Sequence, residues 1–496
     1  MYNTMTERKR IYLCLAHMSE AGLEQKYIKE AFDTNWVVPL GPNVNAFEED
    51  LEKFCLTPSP LPPSREARGG LEGSDCLSKK RVVALSSGTA AVHLALTACG
   101  VKPGDEVIVQ SFTFCASSHP ITYLGATPVF VDSEKETWNM DPELLEVAIV
   151  DRIAKTNKKP KAVVPVALYG MPYQIDRIME IANRYGIPVI EDTAEGFGSR
   201  YNGQMLGTFG KYGVLSFNGN KMITTSGGGA LITPDEESWR EIMMYATQYR
   251  ESYPYYQHEK IGFNYRMSNI CAGIGRGQMT VVKDHIEHHR HVQKLYEELL
   301  KDVEGITVHK QPGTSLTQMT TNDHALDPRS LATIGTQELS INNKVYDSNY
   351  WLCTITLAPE LKVKGQENAY RAIVQGAVGG AAGVIHTAST AVTDCQPNDN
   401  VEAMRVSLDA AGIEARPVWK PMHKQPVYCA PLNEKGEMRK EKLPCGAICQ
   451  TSATSVAYVN GVSEAVFKVG MCLPAGPYVS DDDVRYIVET IKNSIV

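Results

Sequence analysis

The feature that most constrains this chain is a lysine set between two apolar runs. Tyr212-Gly213-Val214-Leu215-Ser216-Phe217 reads as a short buried strand and Ala230-Leu231-Ile232 as the next one. Between them lie Asn218-Gly219-Asn220, Lys221 and the triplet Gly227-Gly228-Gly229. An ammonium belongs in water. Lys221 can snorkel to the surface, the commoner fate of a lysine. Alternatively it sits in a desolvating pocket, where a neutral amine is a nucleophile towards an aldehyde. The segment alone leaves the two readings evenly matched, so partners must decide.

Two other segments offer partners. Ile187-Pro188-Val189-Ile190 is a strand that delivers Glu191 and Asp192 and then turns through Thr193-Ala194-Glu195-Gly196. In open α/β sheets, ligand chemistry gathers at the carboxyl ends of strands. Asp192 reads either as an ordinary helix N-cap or as the carboxylate that keeps a pyridinium nitrogen protonated, so that pyridoxal 5′-phosphate (PLP) works as an electron sink. Val82-Val83-Ala84-Leu85 runs into Ser86-Ser87-Gly88-Thr89 and an apolar helix. Free N–H groups and hydroxyls at a helix start suit a phosphate, although ordinary capping also explains such a turn.

Together these segments resemble the DegT/StrS-type nucleotide-sugar aminotransferases, PLP enzymes of the aspartate-aminotransferase fold. The resemblance is carried by Ser87-Gly88-Thr89-Ala90-Ala91, Gln110-Ser111-Phe112-Thr113-Phe114, Glu191-Asp192-Thr193-Ala194-Glu195, Ser216 to Gly229, and Gly262-Phe263-Asn264-Tyr265-Arg266-Met267. It covers roughly residues 10–56, 81–300, 346–360 and 400–496, and implies a strand over Tyr346–Leu357. It implies an α/β fold-type I transferase: a large domain over 1–283 with a mostly parallel sheet flanked by helices, then a linking helix and a smaller α+β domain over 284–496. Lys221 and Asp192 are the implied catalytic pair. Gly88, Thr89 and Ser216 would meet the cofactor phosphate, Phe114 its ring face, and Glu195 its phenolic oxygen. Asn264 would reach the cofactor phosphate of a second subunit, so a homodimer with shared sites is expected. Asn35, Trp36, Arg416, Trp419 and His423 are candidate substrate contacts; a hydrophobic clamp on the next helix competes for Trp36, and a satisfied turn histidine for His423. The implied reaction moves an amino group from an amino acid, L-glutamate on family grounds, to C4 of a nucleotide-linked keto sugar, with a UDP-linked 2-acetamido-4-keto-6-deoxyhexose expected.

Competing readings are a PLP-fold scaffold with a damaged site, a PLP-dependent sugar dehydratase in which histidine replaces the lysine, and a nicotinamide dehydrogenase. The last rests on Gly376-Ala377-Val378-Gly379-Gly380-Ala381-Ala382-Gly383, which lacks a clean preceding strand and a following ribose-binding acid.

Composition removes other classes. A net charge of −8, with no basic run longer than Lys79-Lys80-Arg81, argues against a nucleic-acid surface. No apolar run is long enough to span a bilayer. The N-terminal order, Glu7-Arg8-Lys9-Arg10 before Ile11-Tyr12-Leu13, is basic then apolar, but its apolar part is too short for a signal peptide. Twelve scattered cysteines fit a reducing cytoplasm. Cys445 and Cys449 have no second pair at zinc spacing, and no metal is expected. His285 and His289 stand one turn apart on the helix expected over Asp284–Leu300; without a third ligand a solvated face is preferred to a metal clamp. Residues 57–80, with four prolines and three glycines, read as an exposed insertion, as do 310–345, 361–399 and 430–456.

Overall fold

The computed structural model describes residues 9–57, 77–313, 345–369, 395–429 and 438–496. The glycine run at 376–383 and most of the expected insertions lie outside the described residues.

Strands β1 (Arg81–Leu85), β2 (Glu106–Gln110), β3 (Thr127–Val131), β4 (Val163–Val164) and β5 (Ile190–Asp192) alternate with helices. A small hairpin, β6 (Arg200–Tyr201) and β7 (Gln204–Met205), precedes β8 (Tyr212–Ser216) and β9 (Gly229–Thr233). The order β3-β2-β4 is parallel, and parallel bridges Val163↔Val189 and Val166↔Asp192 join β4 to β5. Beyond it, β8 is parallel to β5, β9 runs antiparallel, and β1 closes the edge. Side chains alternate across the sheet. Val107 and Val109 of β2 pack under the helices Gly88–Ala98 and Glu236–Ala246, while Ile108 packs under Pro142–Thr156 and Ile175–Tyr185. Both faces are covered, which explains why these strands read as continuous apolar runs. The carboxyl ends of β1, β2, β5 and β8 share one edge.

The second sheet takes the order β10-β12-β17-β13 from β10 (Ile306–Val308), β12 (Cys353–Leu357), β13 (Arg416–Pro417) and β17 (Gly470–Leu473), all antiparallel. Helices Val282–Leu300, Asp399–Ala410 and Asp481–Ser494 pack on it.

Three expectations are corrected. The described part of the insertion expected over 430–456 is not an exposed loop. Residues 439–459 form β14 (Arg439–Lys442), β15 (Ile448–Thr451) and β16 (Val456–Val459), and β16 pairs in parallel with β3, extending the large sheet. Val456 and Tyr458 fill one side of that sheet, Ala457 and Val459 the other. The stretch from Tyr346 to Leu357 is not one strand. β11 (Tyr346–Asp347) pairs with β6, and Ser348–Leu352 is a turn with Tyr350 in the left-handed region (φ 47°). Finally, His285 and His289 are buried. Each donates from Nδ1 to a carbonyl, Met222 O and Tyr350 O, at 3.1 Å, and burial pushes His289 down to about 3. Their helix is pressed against the lysine loop and the 348–352 turn, so the face is not solvated. Among the described residues no group of three or more His, Cys, Asp and Glu side chains is arranged to hold a metal.

His423 takes the second of its two readings, the satisfied turn histidine. It is 3% exposed, with Nδ1 2.6 Å from Ser111 Oγ beyond the end of β2 and Nε2 3.1 Å from Glu464 Oε1 on the helix Val462–Val469. The imidazole has no free edge for a substrate; it clips the end of β2 to the helix Val462–Val469. Burial alone would raise the Glu464 carboxyl, but the His423 bond and the charges of His423 and Lys424 outweigh it and hold the group down to about 2.

Near β1, Glu48 and Arg266 form a buried two-pronged pair. Ala84 N donates to Glu48 Oε1 (2.7 Å) and Arg266 Nη1 donates to Ala84 O (2.8 Å). Ser86 N then donates to Tyr265 O at 2.8 Å, which fixes the turn that follows β1.

Two outcomes are expected. Arg266→Ala strands a buried carboxylate and lowers the unfolding free energy by about 3–5 kcal/mol, read as a lower denaturant midpoint. Glu464 has a depressed folded pKa, so its contribution is present above the unfolded value of 4.5 and is lost as pH falls through the window towards about 2. Glu464→Gln should therefore be less stable near neutrality, and its denaturation midpoint should decline less than the parent's between pH 4.5 and 3.

Candidate active site

A cavity of ≈ 410 Å³ opens at the shared carboxyl edge, within the usual range for ligand sites. Gly88, Thr89, Phe114, Asp192, Glu195, Ser216, Lys221 and Trp419 all line it. Residues far apart in the chain, singled out by sequence, are thus brought together.

Lys221 is carried by a loop closed on itself. Phe217 N donates to Gly228 O, Thr225 N to Phe217 O, and Lys221 N to Asn218 O, each at 2.9 Å. Two glycines of the triplet have a steric reason. A Cβ on Gly228 would lie 2.1 Å from Thr225 Oγ1, and one on Gly229 would lie 2.4 Å from Gly88 N. The bare backbone at Gly229 lets the lysine loop pass against the start of the helix Gly88–Ala98. There Ser87 caps Ala90 N, and Gly88 and Thr89 bring the first turn to the cavity wall. A helix start with open N–H groups suits a phosphate.

The Lys221 amine lies 3.5 Å from Glu195 Oε1 and 3.9 Å from the centroid of the Trp351 ring. Its side chain is 13% exposed, so it has not snorkelled to the surface. Glu195 Oε2 accepts from Tyr169 N (2.7 Å) and Oε1 from Trp419 Nε1 (3.3 Å). Burial pushes the Glu195 carboxyl up; the Lys221 charge and the Tyr169 N–H pull it back. Asp192 ends β5 and is 3% exposed. Ser117 Oγ donates to its Oδ2 at 2.6 Å and Ala194 N to its Oδ1 at 3.1 Å. Burial again raises the carboxyl, opposed by Ser117, Ala194 N–H and Lys221. A cation placed in the cavity would favour the ionised form of either group. Phe114 presents a ring that is 52% exposed and stands 5.8 Å from the Trp419 ring.

The remaining sequence candidates do not line this cavity. Trp36 lies against Gly41, where a Cβ would come within 3.1 Å of its ring, so it clamps the start of the helix Pro42–Leu56. Asn35 is exposed beside it with φ 57°. Arg416 is exposed and bonded to Glu414 Oε1 at 2.8 Å. Asn264 is exposed, held by a backbone bridge to Thr247. Ser117, Tyr169, Asn220 and Trp351 escaped the sequence reading. Each acts on a residue 26 or more positions away or, like Asn220, through its carbonyl, and no local pattern marks such pairings. Only the position of Tyr169, shortly beyond the carboxyl end of β4, pointed towards the site.

Comparison with known proteins places this geometry. The profile described as the DegT/DnrJ/EryC1/StrS aminotransferase family matches residues 73–353. The chain is 36% identical over 483 residues to the putative pyridoxal phosphate-dependent aminotransferase EpsN of Bacillus subtilis, covering 97% of this chain and 95% of that protein. It is 32% identical over 445 residues to the GDP-perosamine synthase of Caulobacter vibrioides, covering 90% and 92%. Among solved structures, the PLP form of the putative sugar aminotransferase Spr1654 of Streptococcus pneumoniae superposes with a TM-score of 0.68 at 21% identity, covering 98% of both chains. The chain therefore belongs to the DegT/DnrJ/EryC1/StrS aminotransferase family, and is a fold-type I enzyme whose cofactor is pyridoxal 5′-phosphate.

Proposed function

We propose that this protein transfers an amino group from L-glutamate to C4 of a nucleotide-linked 4-keto-6-deoxy sugar, a UDP-2-acetamido-4-keto-hexose, for the synthesis of a surface glycan. The observation that carries the reading is one cavity in which a half-buried lysine amine, a buried carboxyl at a strand end and an open helix start face each other. Relatives named for nucleotide-sugar amination support the acceptor class. They include GDP-perosamine synthase and, in Pseudomonas aeruginosa, a UDP-2-acetamido-2-deoxy-3-oxo-D-glucuronate aminotransferase. The twelve cysteines and an amino-acid donor fit a cytoplasmic enzyme.

The residues present fit PLP. When bound, it supplies an electrophilic carbonyl carbon and an electron-accepting ring. Gly88, Thr89 and Ser216 would hold its phosphate, the Phe114 ring would cover one face, and the Lys221 amine would hold it covalently. Asp192, polarised by Ser117 Oγ–H, would hold a proton on the ring nitrogen. Glu195 would sit by the phenolic oxygen, its own oxygens fixed by Tyr169 N–H and Trp419 Nε1–H. Each half of a ping-pong exchange needs a proton moved between two carbons. Lys221 Nζ carries that proton, because its loop leaves the amine inside the cavity rather than in water. Trp419, the one sequence-predicted substrate contact in the cavity, borders the side where the sugar would enter.

We further read the enzyme as a homodimer in which Asn264 completes the partner's site. Tyr255, Tyr256 and Ile261, on the loop just before Asn264, are 61%, 79% and 86% exposed, an apolar face suited to burial against a second copy.

Lys221→Ala should lower amine transfer by more than about 10³-fold and remove borohydride labelling at position 221 in cofactor-loaded protein; labelling at another lysine would discard the assignment. Lys221→Ala and Asn264→Ala, each inactive alone, should regain about a quarter of the parent rate when unfolded together and refolded as random dimers. A mixture that stays inactive would remove Asn264 from the shared site.

A further inference from the structure

The lysine amine has an aromatic neighbour that the reading above leaves without a role. The Trp351 ring centroid is 3.9 Å from Lys221 Nζ, well inside the distance at which an indole face attracts a cation. The carboxylate contact is looser: 3.5 Å to Glu195 Oε1, beyond the 2.7–2.9 Å of a tight charge-assisted bond. The indole also grips the loop that carries the lysine, since Trp351 Nε1 donates to Asn220 O at 2.7 Å. One side chain therefore touches both the amine and the backbone directly before it.

The turn that presents this ring is costly to form. Tyr350 has φ 47°, a left-handed conformation that a residue with a side chain adopts rarely. Asn349 holds it there: Nδ2 donates to Glu195 O and Phe197 O at 2.9 Å, and Oδ1 accepts from Trp351 N at 2.9 Å. Gly170 makes room, because a Cβ there would lie 1.8 Å from Asn349 Oδ1. Filling a core with an indole requires none of this. A strained turn fixed by so many bonds marks a place where position matters.

We propose that Trp351 is a positioning residue for the reactive amine: whenever Lys221 is free of the cofactor, the indole face holds its ammonium in the cavity beside Glu195. A free lysine otherwise spreads over many rotamers, and the amine that must carry protons would have to be recaptured in every half-reaction. The proposal rests on Lys221 being the reactive amine.

The test separates electrostatics from packing. Trp351 is replaced, by nonsense suppression at that codon, with mono-, di- and trifluorinated tryptophan, which withdraw charge from the ring face with little change of shape. In cofactor-free protein, the rate at which an amine-acylating reagent modifies Lys221 is followed by peptide mapping, with exposed Lys29 as internal reference. The rate should rise stepwise along the series, by roughly three- to thirty-fold overall, and Trp351→Phe should show faster labelling than the parent. A Lys221 rate that stays flat relative to Lys29 while the ring is progressively fluorinated overturns the proposal. Borohydride reduction of the unaltered, cofactor-loaded protein gives the separate control. Label on a lysine other than Lys221 overturns the reading of the amine, and this proposal with it; label on Lys221 with flat acylation overturns the indole's role alone.

Discussion

Two carboxyls, Glu195 and Asp192, are buried beside the half-buried Lys221 amine around one small cavity, and much of the surrounding structure follows from that. Taking a charge out of water costs several kcal/mol unless partners replace the solvent. The donors therefore converge on the carboxyl oxygens: Ser117 and Ala194 N–H on Asp192, Tyr169 N–H and the Trp419 indole on Glu195. These donors come from four different segments, and their geometry dictates local backbone that sequence propensity would not choose. Tyr169 adopts φ 53° while its amide meets Glu195, and Gly170 follows at φ 91° because Asn349 fills the space beside it. The scaffold is regular where it only needs to be stable and strained where it must aim a polar group.

Adjacent residues of the same type have opposite tasks. Glu191 and Asp192 are neighbours on β5, so they point to opposite faces. Glu191 is saturated by Tyr173 Oη and by the amides of Gly207, Phe209 and Gly210, and so fixes the connection into β8. Asp192 has fewer donors and faces the cavity. The histidines on Val282–Leu300 divide similarly. His289 is buried and kept neutral, whereas His291 is exposed and pairs with Asp481.

How much of this was legible depended on how local the signal was. Strand ends and glycine turns marked Lys221, Asp192 and the Gly88-Thr89 turn over a few residues but left two readings for each; the resemblance decided between them and added Ser216. Trp351, Ser117 and Tyr169 act across the fold and carry no such mark. The resemblance implies that the segment holding Arg416, Trp419 and His423 borders the substrate, yet along a short strand and a 3-10 turn successive side chains point different ways. Trp419 meets the cavity while His423 is consumed by bonds to Ser111 and Glu464. The histidine-rich helix looked solvated because charged residues surround it in sequence, and its burial arises from the lysine loop and the 348–352 turn packing across it. The hairpin at 439–451 is polar on its outer strand, which made it resemble a loop. Only its partner β16, apolar on both faces, betrays a place inside a sheet.

The pairing of β16 with β3 also has a consequence for how the polypeptide is made. Asp132, just past β3, accepts the amides of Gly461 at 2.9 Å and of Ser463 at 3.2 Å, some 330 positions further along. Until the ribosome has extruded those residues, β3 presents an open edge and Asp132 a carboxylate with most of its donors missing. An unpaired apolar edge is a template for pairing with another chain, and domains fold as units when their last strand becomes available. Maturation of the sheet that holds β3 is thereby tied to the arrival of nearly the whole chain, and a nascent product cut short before residue 456 would carry an adhesive border rather than a finished edge.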